Sequence, residues 1–149
     1  MDSQNSTLQN LENDYVTIDV SQFPFVRVTM HEKTPTDEEV DEFIAYHNIL
    51  YGQDKPFVFY MEFPSKMFYI KAAHRIKMGN WLKKNKNLTI KCKGNAFVAK
   101  NFFFNVLLKA IHMIQSPPNG HIIVNDEQKA IEWLKKKMDF ELFPPNHQS

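Results

Sequence analysis

The sequence predicts an α/β fold with a central mixed sheet of about five strands and four helices, in the order β-β-α-β-α-β-α-β-α. Short runs of β-branched and aromatic residues alternate with segments whose apolar residues recur every three or four positions. With 149 residues, 43% of them hydrophobic, the chain has the size of one domain with a sizeable core. We expect a flexible N-terminus at 1–12, a single domain at 13–139 and a Pro-rich tail at 140–149.

The first half of the chain carries the clearest signals. Two strands are predicted at 15–20 and 25–30, forming a hairpin. A helix follows with Thr36 as N-cap and Glu39 as its capping-box partner, and it ends near Gly52. Its buried side is predicted to comprise Val40, Phe43, Ile44, His47 and Leu50. The continuous apolar run at 57–61 predicts a central strand covered on both faces.

The second half alternates helix and strand. A second helix is predicted from about Lys66 through Leu82, with an inner stripe of Met67, Ile70, Ala73 and Trp81. Residues 88–92 have strand propensity in a helical neighbourhood, so both structures stay open there. A strand at 96–99 precedes a third helix at 102–114 that Asn101 caps. A strand at 121–124 and a last helix follow, the helix burying Ala130, Ile131, Leu134 and Met138.

The third helix is apolar on almost its whole circumference. A helix on a sheet needs only one apolar stripe, so something else must cover part of the set Phe102, Phe104, Leu108 and Ile111. A partner subunit or an oily ligand would serve. We expect a homodimer, with residues 140–143 packing across the interface or back onto their own domain.

Charge is strongly segregated along the chain. Residues 1–62 carry 12 acids and 3 bases, whereas residues 63–125 carry 11 bases and no acid. The middle can therefore bind anions. The candidate basic surface comprises Lys71, Arg75, Lys77, Lys83, Lys84 and Lys86. Alternatively, the acidic helix near residue 37 lies beside this stretch and neutralises it, within the monomer or across a dimer.

Composition and motifs exclude several classes of function. The four glycines stand singly, so no dinucleotide-binding or phosphate-binding loop exists. The six histidines lack ligand spacing and Cys92 is the only cysteine, so we expect no metal, no cofactor and no catalysis. We predict a cytoplasmic protein without a membrane span. Residues 93–98 resemble an RNA-binding strand, but Asn95 replaces a stacking aromatic, which argues against a nucleic-acid partner.

Ligands of such sheets collect at the carboxyl ends of the strands, where helix N-termini offer backbone donors. The candidates at those ends are Ser65, Lys66, Glu62, Asn101 and Asn125. Ser65 is either an anion site or phosphosite, or a simple helix cap. The two asparagines are also candidate caps. Glu62 could act as a base, but a single acid does not make a catalytic site.

Several motifs together resemble the SpoIIAA-like proteins of the STAS superfamily over residues 14–138. They are Pro35-Thr36-Asp37-Glu38-Glu39, Arg75 followed by Gly79-Asn80-Trp81-Leu82, Ala96-Phe97-Val98, and Ala130-Ile131-Glu132-Trp133-Leu134. The resemblance implies a fold shared with anti-sigma factor antagonists and lipid-carrying CRAL-TRIO-like domains. Anti-sigma antagonists carry an Asp-Ser pair whose serine a partner kinase phosphorylates. Here Glu62-Phe63-Pro64-Ser65 supplies the serine without that pair.

The resemblance implies a non-catalytic regulatory or protein-interaction domain with a regulatory protein partner. The alternative is a carrier or sensor of an anionic, lipid-like or other small ligand, which would use the basic middle and the apolar third helix.

Overall fold

A computed structural model describes residues 8–66, 69–114 and 119–138. The sheet has six strands: β1 (Leu11–Glu12), β2 (Val16–Gln22), β3 (Phe25–Met30), β4 (Phe57–Glu62), β5 (Cys92–Val98) and β6 (His121–Val124). Five helices accompany it: α1 (Asp37–Tyr51), α2 (Ala72–Lys84), α3 (Lys86–Thr89), α4 (Phe102–Ile114) and α5 (Glu127–Met138). The predicted α/β class is confirmed, with short β1 and α3 added to the predicted elements. β1 lies within the segment predicted to be flexible.

The strands lie side by side in the order of the sequence. The pairs β1–β2 and β2–β3 are antiparallel, which confirms the predicted hairpin, and β3 to β6 are parallel. Right-handed crossovers that always step to the next strand in the same direction place their helices on one face of the sheet. Accordingly α1, α2 and α4 cover one face, and α5 packs on the other.

The core on the three-helix face is rich in aromatic rings. Phe57 and Phe59 of β4 point into it, and α1 brings Phe43 and Tyr51 against them. Thr36 caps α1 and forms the predicted capping box with Glu39, which fixes where the helix begins. Of the predicted buried residues of α1, Ile44 is only half-buried, whereas Tyr46 and Tyr51 are buried as well.

His47 is a buried polar member of this aromatic core. Its ring lies 4.6 Å from Phe43, 5.4 Å from Trp81 and 5.7 Å from Phe59, measured between centroids. Nδ1 lies 2.8 Å from the Phe43 carbonyl oxygen and therefore donates a hydrogen bond to it. Burial lowers the pKa of His47 from the ordinary 6.5, outweighing the opposing effect of that hydrogen bond.

On the opposite face, α5 buries Ala130, Ile131 and Leu134 against β4 and β5, as predicted. The Arg27 guanidinium lies over the Tyr60 ring at 4.5 Å from its centroid and 3.5 Å from the Glu127 carboxylate. These contacts link the first turn of α5 to β3 and β4. The buried strand predicted at 57–61 is confirmed, because Phe57 to Tyr60 are buried and both faces of the sheet are covered there.

The prediction for the second helix is wrong at its start and at Ile70 and Ala73 of its inner stripe, and it is confirmed at Trp81. α2 begins at Ala72, and Ser65 and Lys66 precede it in a bend. His74 and Trp81 are buried, whereas Ala73 is exposed and Ile70 lies outside the helix; Met67 lies outside the described residues. Long-range partners, not the local apolar pattern, set which side of α2 turns inward. The open question at 88–92 resolves into the end of α3, a turn, and the start of β5 at Cys92.

We predict that His47 makes the protein acid-sensitive. The pKa of His47 is lowered by folding, so the unfolded chain binds its proton more tightly and stability falls as pH drops below 6.5. This proton contributes a slope of up to about 1.4 kcal/mol per pH unit. The variant His47→Phe should lose that part of the slope in urea unfolding measured between about pH 7 and about pH 5.

The control for this prediction is His31→Asn, because His31 is only half-buried and lies 2.8 Å from the Thr17 hydroxyl. That variant should keep the slope of the parent. A His47→Phe slope equal to the parental one would contradict a buried neutral imidazole.

Candidate functional site

The carboxyl ends of the central strands bring together two of the predicted site segments. The Asn101 side-chain amide donates to the Ser65 carbonyl at 2.7 Å, tying the chain after β4 to the start of α4. The Asn101 carboxamide oxygen accepts from the Phe103 and Phe104 amides at 2.8 and 3.4 Å. Asn101 therefore caps α4, as predicted, and its side-chain amide also links the two loops by a hydrogen bond.

Ser65 and Lys66 are exposed at this edge. Because α2 begins only at Ala72, the expectation that Ser65 stands at a helix N-terminus is wrong. A phosphate on Ser65 would therefore not gain a helix N-terminus within its own segment. For the same reason, Ser65 is not the N-cap of α2.

The remaining edge candidates have structural contacts of their own. Glu62 ends β4 and accepts a hydrogen bond from the Tyr60 hydroxyl at 3.4 Å. Burial, followed by the charges of Glu62 and Glu127, raises the pKa of Tyr60. Asn125 is exposed after β6, and Asp126, not Asn125, accepts the capping hydrogen bond of α5, from the Gln128 amide at 3.1 Å. Glu62 and Val124 are both paired with Val98, so Val124, the residue before Asn125, lies two strand spacings or about 10 Å from Glu62.

Side-chain contacts between α1 and α2 involve one residue of the predicted basic surface, Lys77. Asp37 accepts from His74 Nε2 at 2.7 Å, Asp41 pairs with Lys77, and Asn48 accepts from the Trp81 indole at 2.8 Å. Within the described residues, the buried Nδ1 of His74 has no hydrogen-bond partner. The hydrogen bond and charge of His74, with further help from nearby lysines, lower the pKa of Asp37. The alternative that the acidic helix lies beside the basic stretch is confirmed within the monomer.

The other basic candidates are exposed along α2 and α3. Lys83 and Lys84 form the last turn of α2, where cations complement the helix dipole. Arg75 donates to the Ile70 carbonyl at 2.5 Å, and Lys71 and Lys86 stand at the N-cap of α2 and the start of α3. These side chains form an exposed helix face, and α1 pairs with it at Lys77.

The most unusual surface is the side of α4 that points away from the sheet. Phe104 and Leu108 turn inward and pack with Phe97, Ala99 and the half-buried Phe63. On the other side Phe102 is 73% exposed, Phe103 65%, Val106 48% and Met113 87%. We call Phe102, Phe103, Val106, Ala110 and Met113 the outward face of α4. Only part of the expected uncovered set belongs to it, because Phe104 and Leu108 are buried; the Ile111 side chain lies outside the described residues.

Four residues of the outward face were not in the set expected to be uncovered: Phe103, Val106, Ala110 and Met113. A projection at 100° per residue places Phe102, Val106, Ala110 and Met113 within 80° of one another, opposite Phe104 and Leu108. That projection could have identified the stripe, but it could not show which of two apolar sides would face the sheet. Only the fold decides this.

The remaining candidate chemical groups are metal-ligating side chains and the Cys92 thiol. No group of three or more metal-ligating side chains occurs within residues 8–66, 69–114 and 119–138. Burial raises the pKa of the Cys92 thiol to about 12, which leaves it a poor nucleophile at neutral pH. In that same part of the chain, no helix has both the length and the hydropathy to cross a bilayer.

Comparisons with protein-family models, curated proteins and solved structures found no match.

We predict that Asn101, and not Ser65, stabilises the carboxyl edge. Asn101→Ala removes the cap of α4 and the bond to the Ser65 carbonyl, so it should cost about 1 to 2 kcal/mol of unfolding free energy. Ser65→Ala should stay within about 0.5 kcal/mol of the parent. Urea unfolding of both variants checks this. Equal losses would mean that the serine side chain also holds the loop.

Proposed function

We propose that this protein is a non-catalytic regulatory domain that acts by binding, with the outward face of α4 as its contact surface. The observation that carries the proposal is the exposure of Phe102, Phe103 and Met113, each by about two thirds or more. Contiguous exposed apolar surface of this kind marks interaction sites in folded proteins. The inner side of α4 is already anchored by Phe104 and Leu108, so the outward side is not needed for attachment to the sheet.

We further propose that the fold is the SpoIIAA-like fold of the STAS superfamily. The element order is consistent with this, because the structure has the order predicted for the residues that carry the resemblance, apart from the short β1 and α3. A regulatory or protein-interaction role is the function that this kinship implies. It does not require Ser65 to be a phosphosite.

The carrier alternative has weaker support in the geometry. An open groove of about 690 Å³ lies beside the start of α1. Its lining is mainly acidic: Asn13, Asp14, Thr36, Glu38, Glu39, Asp41, Glu42 and Ala45. An anionic ligand would meet repulsion there, so this groove suits neither an acidic lipid nor a phosphate.

Homodimerisation through α4 is also weakened by charge. A two-fold interface places the same patch against itself, so an axis that passes near Lys109 would bring the two copies of this lysine together. Like charges brought together in this way destabilise an interface. We therefore propose a partner other than a second copy as the ligand of α4.

We predict that polar substitutions on the outward face abolish partner binding without unfolding the protein. The α4-face variant combines Phe102→Ser with Met113→Ser, two exposed positions whose change should alter stability by no more than about 0.5 kcal/mol each. Affinity purification from the source cells, with membranes retained and bound material quantified, should show at least about a tenfold loss of specific binding, equivalent to about 1.4 kcal/mol.

The control variant combines Ile49→Ser with Ile76→Ser on α1 and α2. These side chains are 54% and 62% exposed, so the control removes similar apolar surface elsewhere. It should recover the same material as the parent. Equal recovery by the α4-face variant and the parent would overturn the proposed function.

A further inference from the structure

We infer that the partner of the outward face of α4 is an anionic lipid bilayer, on which the protein docks without crossing it. The inference rests on the proposed function and names the surface that α4 contacts. An interfacial helix of this type lies in the plane of the membrane with its apolar side chains among the headgroups and upper acyl chains. Three features of α4 and its surroundings carry the argument: charge, shape, and the chemistry of the exposed side chains.

α4 and the residue before its cap carry two charged side chains, and both are lysines. Lys100 immediately precedes the helix cap, and Lys109 is exposed on the helix itself. The bond between Asn101 and the Ser65 carbonyl places the exposed Lys66 segment near the same end. No carboxylate occurs between residues 63 and 125. An anionic headgroup layer therefore meets attraction at both the start and the middle of α4.

The shape of the outward face suits a flat surface. Phe102 and Met113 are separated by eleven residues, or about 16 Å along the helix axis, and Val106 lies between them on the same side. The Phe102 and Phe103 rings lie edge to face at 6.0 Å between centroids and widen the stripe at its first turn. These side chains are exposed and project outward from the helix. A bilayer can receive the whole stripe at once.

The side-chain chemistry favours a bilayer over an acidic protein. The outward face offers phenylalanine, valine, alanine and methionine, and Lys109 borders it. Protein interfaces have about one hydrogen bond per 100–200 Å² and surround their apolar centre with a polar rim of both donors and acceptors. Among the described side chains of α4, Asn105 is the one strong hydrogen-bond acceptor and none is a carboxylate, which is a poor rim for a protein partner. Apolar insertion together with cationic contacts is what an anionic membrane surface requires.

The test is vesicle co-sedimentation of the full chain. Phosphatidylcholine vesicles containing about one third phosphatidylserine should bind the parent, whereas pure phosphatidylcholine vesicles should bind it at least about tenfold more weakly. The α4-face variant should bind the mixed vesicles at least about tenfold more weakly than the parent, since it loses two inserting side chains. The Ile49→Ser, Ile76→Ser control should bind like the parent.

A second pair of variants separates local from overall charge. Lys100→Ala with Lys109→Ala should weaken binding by about 25-fold, because each lysine near the surface contributes about fivefold. Lys135→Ala with Lys136→Ala removes the same charge from the exposed side of α5, on the other face of the sheet, and should change binding less than about twofold. Equal losses in the two variants would overturn α4 as the docking surface.

The remaining outcomes separate this inference from the proposed function. If the parent does not bind mixed vesicles, but recovery of a protein from cells still depends on the α4 face, the bilayer is wrong and the proposed function stands. If neither depends on that face, both fail. A dimer in sedimentation that the α4-face variant dissociates would make a second copy the occupant and would also overturn the bilayer.

Discussion

Strand β4 has no side that can face water, and the rest of the fold is arranged around this constraint. Its first four residues, Phe57 to Tyr60, are almost completely buried. A parallel strand buried in this way needs cover on both faces of the sheet. Since the crossovers always step in one direction, α1, α2 and α4 lie on one face, and α5 packs on the other. The aromatic layer under α1 and α2 and the Arg27 contact over Tyr60 both depend on that arrangement.

Elements with a strong local signal could be predicted from the sequence. The capping box of Thr36 and Glu39 fixed the start of α1, and the apolar run at 57–61 identified β4. The start of α2 could not be predicted in this way. Pro64 and Ser65 resemble a helix start, but the helix begins where His74 can reach Asp37 and Trp81 can reach Asn48, contacts that span more than thirty residues. Local propensity is a weak prior when such contacts compete with it.

The candidate site was predictable in composition but not in geometry. The charge segregation is visible in the sequence, and so is the apolar character of α4. Which lysines form ion pairs depends on neighbours distant in sequence: Lys77 pairs with Asp41, and Lys91 pairs with Asp54. Which apolar residues are exposed depends on the sheet, since β5 and β6 meet the side of α4 that carries Phe104. Neither result follows from periodicity alone.

The position of α4 near the end of the sheet explains why its outward face stays exposed. All four residues of β6, the edge strand, are only half-buried. The contact between α4 and this edge of the sheet is therefore narrow, and Phe104 and Leu108 account for it. α2 lies beside α1 and uses Trp81 to complete the core under it, so its apolar contacts are directed away from α4.

Within the described part of the chain, the ion pairs of the basic stretch also lie on that distant side, at Lys77 and Lys91. The basic stretch thus has two unlike halves: α2 is held and partly neutralised by α1, whereas α4 combines an uncovered apolar stripe with lysines in an acid-free segment. Removing that stripe from water is favourable and bringing an anionic surface to those lysines is favourable, and the proposed docking would accomplish both.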